Sequence, residues 1–172
     1  MVFVPVLSLW GDFSCFPVYA NPSQTDTCDD FVKAIADANP STELYKQLDV
    51  FKRWYSQSGT PRVDVQASYD QTNARLSLHF KQSCPITPGQ IVKQAFLIPI
   101  QFGLLNPAGQ SVLDNQLLVL SQPEQTLVLE GISTPVIPSL LRGFSAPVQL
   151  NFDCSEAQLL TLLAHDSDPF NS

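Results

Sequence analysis

The hydrophobic period of this chain changes at Gly59-Thr60-Pro61, and any fold must satisfy both sides of the change. Ahead of it, Phe51, Trp54 and Tyr55 stand at helical spacing; beyond it, Val63, Val65 and Ala67 stand at strand spacing. Gly59 and Pro61 end a helix without a flexible linker. A helix loaded with aromatic rings is thereby held close to the first strand. At least Trp54 is expected to pack against the sheet or against the helix before it.

Upstream, Thr27 is placed to cap a helix, and Asp29 and Asp30 suit the positive end of its dipole. Phe31, Ala34, Ile35 and Ala38 are expected on its buried face, and Asn39-Pro40 stops it. A second helix carries Leu44, Leu48, Phe51 and Tyr55 in one stripe. From Pro61 the period is two through about six or seven short strands. They include "QLLVLS" and "QTLVLEG" around Gln122-Pro123-Glu124. This alternation puts Val63, Val65, Leu76, Leu78, Phe80, Phe96, Ile98, Ile100, Val148, Leu150 and Phe152 in a core. The expected fold is mainly β: an immunoglobulin-like antiparallel β-sandwich flanked by N-terminal helices and a short C-terminal helix. That last helix starts at Ser155 and Glu156 and carries Leu159, Leu160, Leu162 and Leu163.

Composition limits the function. The net charge is −7, and the nine Lys and Arg residues form no run, which argues against a nucleic-acid partner. No apolar run reaches the ~20 residues of a membrane helix. Charged residues are only 15% of the chain, against roughly a quarter in ordinary soluble proteins, so part of the surface is expected to face other protein. Cys15, Cys28, Cys84 and Cys154 show no C-x-x-C spacing and read as incidental thiols. The start, "MVFVPVLSLWGDFSCFPVYA", is apolar and signal-like. It has no Lys or Arg near its beginning, and Gly11-Asp12 interrupts it. The expected setting is the cytoplasm.

Chemistry-bearing residues are sparse. His79 falls on the polar face of a strand and reads as a solvated histidine. His165 stands beside Asp166 and Asp168, a group that reads as a capping or solvated cluster rather than an acid–base or metal site. "GFSAP", from Gly143 to Pro147, misses the G-x-S-x-G nucleophile elbow, because Pro147 replaces the second glycine. H-E-x-x-H and phosphate-binding loops are absent from the sequence. No catalytic, cofactor-binding or metal-ligating residue is expected in this chain.

Four segments carry a family resemblance: "TCDDFVKAI", "FKRWYSQSGTPRV", "LLRGFSAPVQL" and "AHDSDPFN". In order and spacing they resemble the bacterial-type aminopeptidase N group of zinc metallopeptidases, from about Thr27 to Ser172. The resemblance implies that residues 27–58 are the helical end of a catalytic domain. Residues 60–154 would be an Ig-like sandwich, and residues 155–172 the start of a C-terminal helical domain. Residues 1–26 are a leader without a match. It further implies a zinc aminopeptidase in the full-length protein, with the zinc held outside this chain. The partners are then the catalytic and helical domains, and the sandwich bridges them. The other expectation is a free-standing sandwich that binds a peptide or protein along a strand edge.

Overall fold

The structure, a computed structural model, describes residues 28–168. The leader at 1–26 and the cap at Thr27 lie outside the described residues. Besides one 3-10 turn at Arg142–Phe144, five α-helical pieces and seven strands follow in order. They are α1 (Cys28–Ala38), α2 (Glu43–Lys46), α3 (Leu48–Phe51), α4 (Arg53–Ser56), β1 (Arg62–Asp70), β2 (Arg75–Ser83) and β3 (Ile98–Leu105). Then come β4 (Ser111–Leu120), β5 (Glu124–Glu130), β6 (Ile137–Leu140), β7 (Gln149–Phe152) and α5 (Glu156–His165).

The strands form two sheets, in the orders β5-β2-β1-β7 and β4-β3-β6. The Ig-like sandwich expected from the alternation is therefore present. Its ladders are antiparallel except one: β7 pairs parallel to β1, with Arg62 opposite Gln149 and Val65 opposite Phe152. The core between the sheets holds Val63, Val65, Leu76, Leu78, Phe80, Phe96, Ile98 and Ile100, as the period-two pattern requires. Phe102, Leu104, Leu118, Leu120, Ile132, Val136, Leu140 and Ala146 complete it.

The pattern is corrected at β7. Val148 and Phe152 are half-buried and Leu150 is 37% exposed, although Leu150 stands opposite the buried Val63. Its side chain is on the expected face, but β7 is an edge strand. Leu150 and Phe152 line an open groove of about 240 Å³ against Pro138, Leu140 and the α5 leucines rather than a closed core.

The helical unit also departs from expectation. The buried face of α1 is Val32, Ile35 and Ala36, while Phe31 is exposed. Two apolar stripes share Ile35, and the one bearing Val32 is the one covered by Leu44, Phe51 and Leu97. The second helix is not regular. Gln47, at φ −125° and ψ 35°, breaks it between α2 and α3, whereas Lys52, at φ −56° and ψ −17°, carries the chain from α3 into α4 with its N–H bonded to the Leu48 carbonyl at 3.0 Å. Its stripe therefore ends early. Leu44 and Phe51 are buried, whereas Tyr55 turns outward and its hydroxyl donates to Asp29 at the start of α1.

Trp54 packs between the two layers, as its place in the sequence predicts. Its ring lies 4.9 Å from that of Phe96, centroid to centroid, at 49°. Its indole N–H donates to the Leu97 carbonyl at 2.8 Å. Arg53 reaches the Ala95 carbonyl beside it, and the Gln57 amide pairs in both directions with Gln94. The short exit through Gly59 leaves the helices clamped on the approach to β3.

β3 explains why its sequence reads as almost continuously apolar. Even positions from Phe96 to Leu104 face the sandwich core, and odd positions face outward. The outward face is covered too. Leu97 belongs to the helical cluster, and Gly103 lies under Arg142. A strand covered on both faces has no polar side to show.

Candidate functional site

Each residue with possible chemistry has an identified neighbour. His79 Nδ1 lies 2.9 Å from Thr126 Oγ1 on the adjacent strand β5. Ser145, the serine of the near-miss elbow, is buried, and its Oγ accepts the Gln101 N–H at 2.9 Å. That oxygen closes a loop onto β3 and has no histidine to activate it. The His165 ring sits over the turn before β4: a Cβ on Gly109 would fall 2.2 Å from its Cγ.

Asp166 is the C-cap residue of α5, as the capping half of the sequence reading has it, but Asp166 and Asp168 do not form a solvated cluster, which corrects the other half. Both are buried: Asp166 meets the Arg142 charge 24 residues upstream, and Asp168 meets the backbone N–H of Gly143, 25 residues upstream. The Arg142 side chain is 4% exposed and that of Asp166 0%, and they meet at 3.0 Å from Nη2 to Oδ1. Arg142 Nε donates to Ser139 Oγ at 2.9 Å, and Ser139 in turn donates to Asp166 Oδ2. Arg142 Nη1 donates to the half-exposed Asp114 at 3.1 Å. Hydrogen bonds from Ser111 and then Arg142 hold the Asp114 carboxyl below its ordinary value. Asp168 accepts the Gly143 N–H on both oxygens at 3.1 Å, and its own N–H donates to Asp166 Oδ1 at 3.1 Å.

This geometry is closed. A buried guanidinium would cost several kcal/mol by desolvation, and its partners here offset that cost by accepting a hydrogen bond from each of its three nitrogens. The backbone around it is strained to suit. Leu141, Gly143 and Phe144 all have positive φ, at 56°, 62° and 52°. Such values at leucine and phenylalanine persist only where the surroundings hold them. Gly103 completes the arrangement, because any Cβ there would fall 2.4 Å from Arg142 Cζ.

These groups do not fit a zinc ion. His79 and His165 lie in separate places, and the two aspartates are committed to Arg142 and Gly143. Among the described residues, no three His, Cys, Asp or Glu side chains converge as metal ligands. Nor is any helix among them long and apolar enough to cross a membrane.

Sequence reasoning missed Arg142, Ser139, Asp114 and Gly103. The available signal was an arginine set in the apolar run "SLLRGF", where a charge needs a buried partner.

Comparison with known proteins gives one consistent result. Residues 59–153 match a family described as a domain of unknown function (DUF3458) with an Ig-like fold. The chain is 38% identical over 152 residues to aminopeptidase N of Escherichia coli (strain K12), covering 84% of this chain and 17% of that protein. It is 35% identical over 157 residues to aminopeptidase N of Haemophilus influenzae, covering 87% of this chain and 18% of that protein. Among solved structures, Legionella pneumophila aminopeptidase A in complex with aspartic acid superposes with a TM-score of 0.72 at 31% identity, covering 84% of this chain and 16% of that one. The chain thus spans less than a fifth of the length of these relatives.

Proposed function

Because the chain belongs to the DUF3458 family of Ig-like-fold domains, we propose that it is the structural sandwich of an aminopeptidase-N-type polypeptide. In this reading it joins a zinc-dependent catalytic unit to a helical domain. The full-length protein removes N-terminal amino acids from peptides, the zinc and its ligands belong to the catalytic unit, and this chain alone does no chemistry. The resemblance to aminopeptidase N over most of the chain supports the parent.

The observation that carries the bridging role is the open face of α5. Leu159, Leu160 and Leu163 are 51%, 59% and 53% exposed on a helix none of whose residues is buried. Three neighbouring leucines left in water cost free energy that a covering partner would recover. A cytoplasmic setting fits the free thiols of Cys28, Cys84 and Cys154.

A chimera tests the reading: residues 59–168 replace the matching segment of Escherichia coli aminopeptidase N. The expected result is a soluble protein that hydrolyses aminoacyl p-nitroanilides. The same chimera with Leu159, Leu160 and Leu163 changed to Ser should lose that activity or its solubility. Full activity in the triple variant would overturn the role given to α5. Turnover by the isolated chain, abolished by a chelator, would overturn its assignment as non-catalytic.

A further inference from the structure

Helix α5 is held in an unusual way. Its capping box, between Ser155 and Gln158, is local, and no residue along its length is buried. Along its length Leu159, Leu162 and Leu163 only line the open groove against Leu150 and Phe152, and its buried attachment lies beyond its C-terminal end, where Asp166 and Asp168 enter the sandwich. The family match stops at residue 153, short of this contact.

We propose that residues 166–168 belong to the sandwich as a strap, and that Arg142 clamps this strap beside β3 so that α5 is fixed in one direction. Three observations carry this. The Arg142–Asp166 pair is buried on both sides, so the strap is interior rather than a surface tail. Asp168 holds the N–H of Gly143, inside the only described stretch where Leu141, Gly143 and Phe144 are all left-handed. Strap and strained segment therefore hold each other. The His165 ring over Gly109 adds a third point at the same end of the helix. Arg142, Asp166 and Asp168 are positioning residues. What α5 presents to a partner rests on the bridging role proposed above; the clamp itself does not.

Hydrogen exchange on the full chain, with no partner present, tests the clamp. In the wild type, the α5 amides and that of Gly143 should exchange far more slowly than an unstructured peptide. In Asp166→Ala they should speed up by about ten-fold more than the amides of β1 and β2 do. Should Asp166→Ala fail to fold, Arg142→Lys decides. Lysine keeps the charge but lacks the fork that joins Ser139, Asp114 and Asp166. It should fold and show the same selective acceleration in α5 and at Gly143. Exchange there within about two-fold of wild type in a folded variant, or a uniform acceleration of every strand, would overturn the proposal. So would α5 amides already unprotected in the wild type. A chimera that fails while this exchange pattern holds would count against the bridging role and leave the clamp standing.

Discussion

Gly103→Ala puts one methyl group where the structure has no room for it. An alanine Cβ would lie 2.4 Å from Arg142 Cζ and 2.5 and 2.8 Å from its two terminal nitrogens. On the surface, an arginine would swing aside at little cost. Here the side chain is 4% exposed and tied to Ser139, Asp114 and Asp166, so moving it breaks a buried ion pair. That loss is about 3–5 kcal/mol. Alanine restricts the unfolded chain more than glycine does, which returns roughly 0.5–1 kcal/mol. The net expectation is a loss of about 2–4.5 kcal/mol, or about 4–18 °C in melting temperature for a domain of this size. Urea unfolding followed by circular dichroism measures the first figure and calorimetry the second. The mechanism makes a sharper demand in the Arg142→Met background. Methionine removes the fork, so there Gly103→Ala should cost less than about 1 kcal/mol, a clear departure from additivity. An equal cost in both backgrounds, or a loss below about 0.5 kcal/mol in the wild type, would show that the approach of Arg142 to β3 is not what excludes a side chain at 103.

Trp54→Ala should cost about 3–5 kcal/mol, and Trp54→Phe only about 1 kcal/mol, the share of the bond to Leu97; with Trp10 changed to Phe, the emission of Trp54 should be blue-shifted and protected from quenchers, and a red-shifted, freely quenched emission would contradict its packing. Leu78→Ala, at a fully buried core position, should cost about 2–5 kcal/mol by urea titration, and a loss under about 0.5 kcal/mol would mean that the strand register is wrong. Hydrogen bonds from Tyr55, Lys46, Asn73 and Lys81 hold the carboxyls of Asp29, Glu43, Asp70 and Glu124 below their ordinary values of 3.8 for Asp and 4.5 for Glu. Depressed carboxylate values stabilise the fold above the unfolded pKa and lose that effect as pH falls through the folded one, so the urea midpoint should stay flat from about pH 7 to 5 and decline below about pH 4; a midpoint that rises on acidification would contradict the sign.

The strands were legible where one face met the core and the other met water. β2 alternates throughout and β1 does so over Val63 and Val65, whose burial follows directly from the sequence, while Ala67 further along β1 is exposed. β6 was not legible. Its four residues, "IPSL", are all buried and include a proline, so no alternation marks them. β3 was half legible: the even positions were read as core, while the odd ones are covered by parts of the chain distant in sequence. The same limit hid the clamp. Helix and strand periods report neighbours within a few residues, whereas Arg142 finds Asp166 across 24 positions. An aspartate beside a histidine at a helix end reads as solvated until that distant arginine is brought to it. The face of α1 shows a milder case, since Phe31 and Val32 each head a plausible stripe and only the layer above chooses between them.

The parallel pairing of β7 with β1 has a mechanical consequence. The chain enters the strand array at the start of β1 and leaves it at the end of β7, ahead of the strap, and the two strands run side by side in the same direction. Tension applied across the entry and exit would slide these strands past each other. In that shearing geometry the backbone bonds of the seam bear load together, whereas a hairpin pulled open at its ends would lose them one by one. Arg62 to Gln149 at 3.0 Å and Asn151 to Asp64 at 2.7 Å add rungs between the same two strands. If the module sits in line between two domains, as proposed above, this seam would resist stretching along the direction in which those neighbours pull.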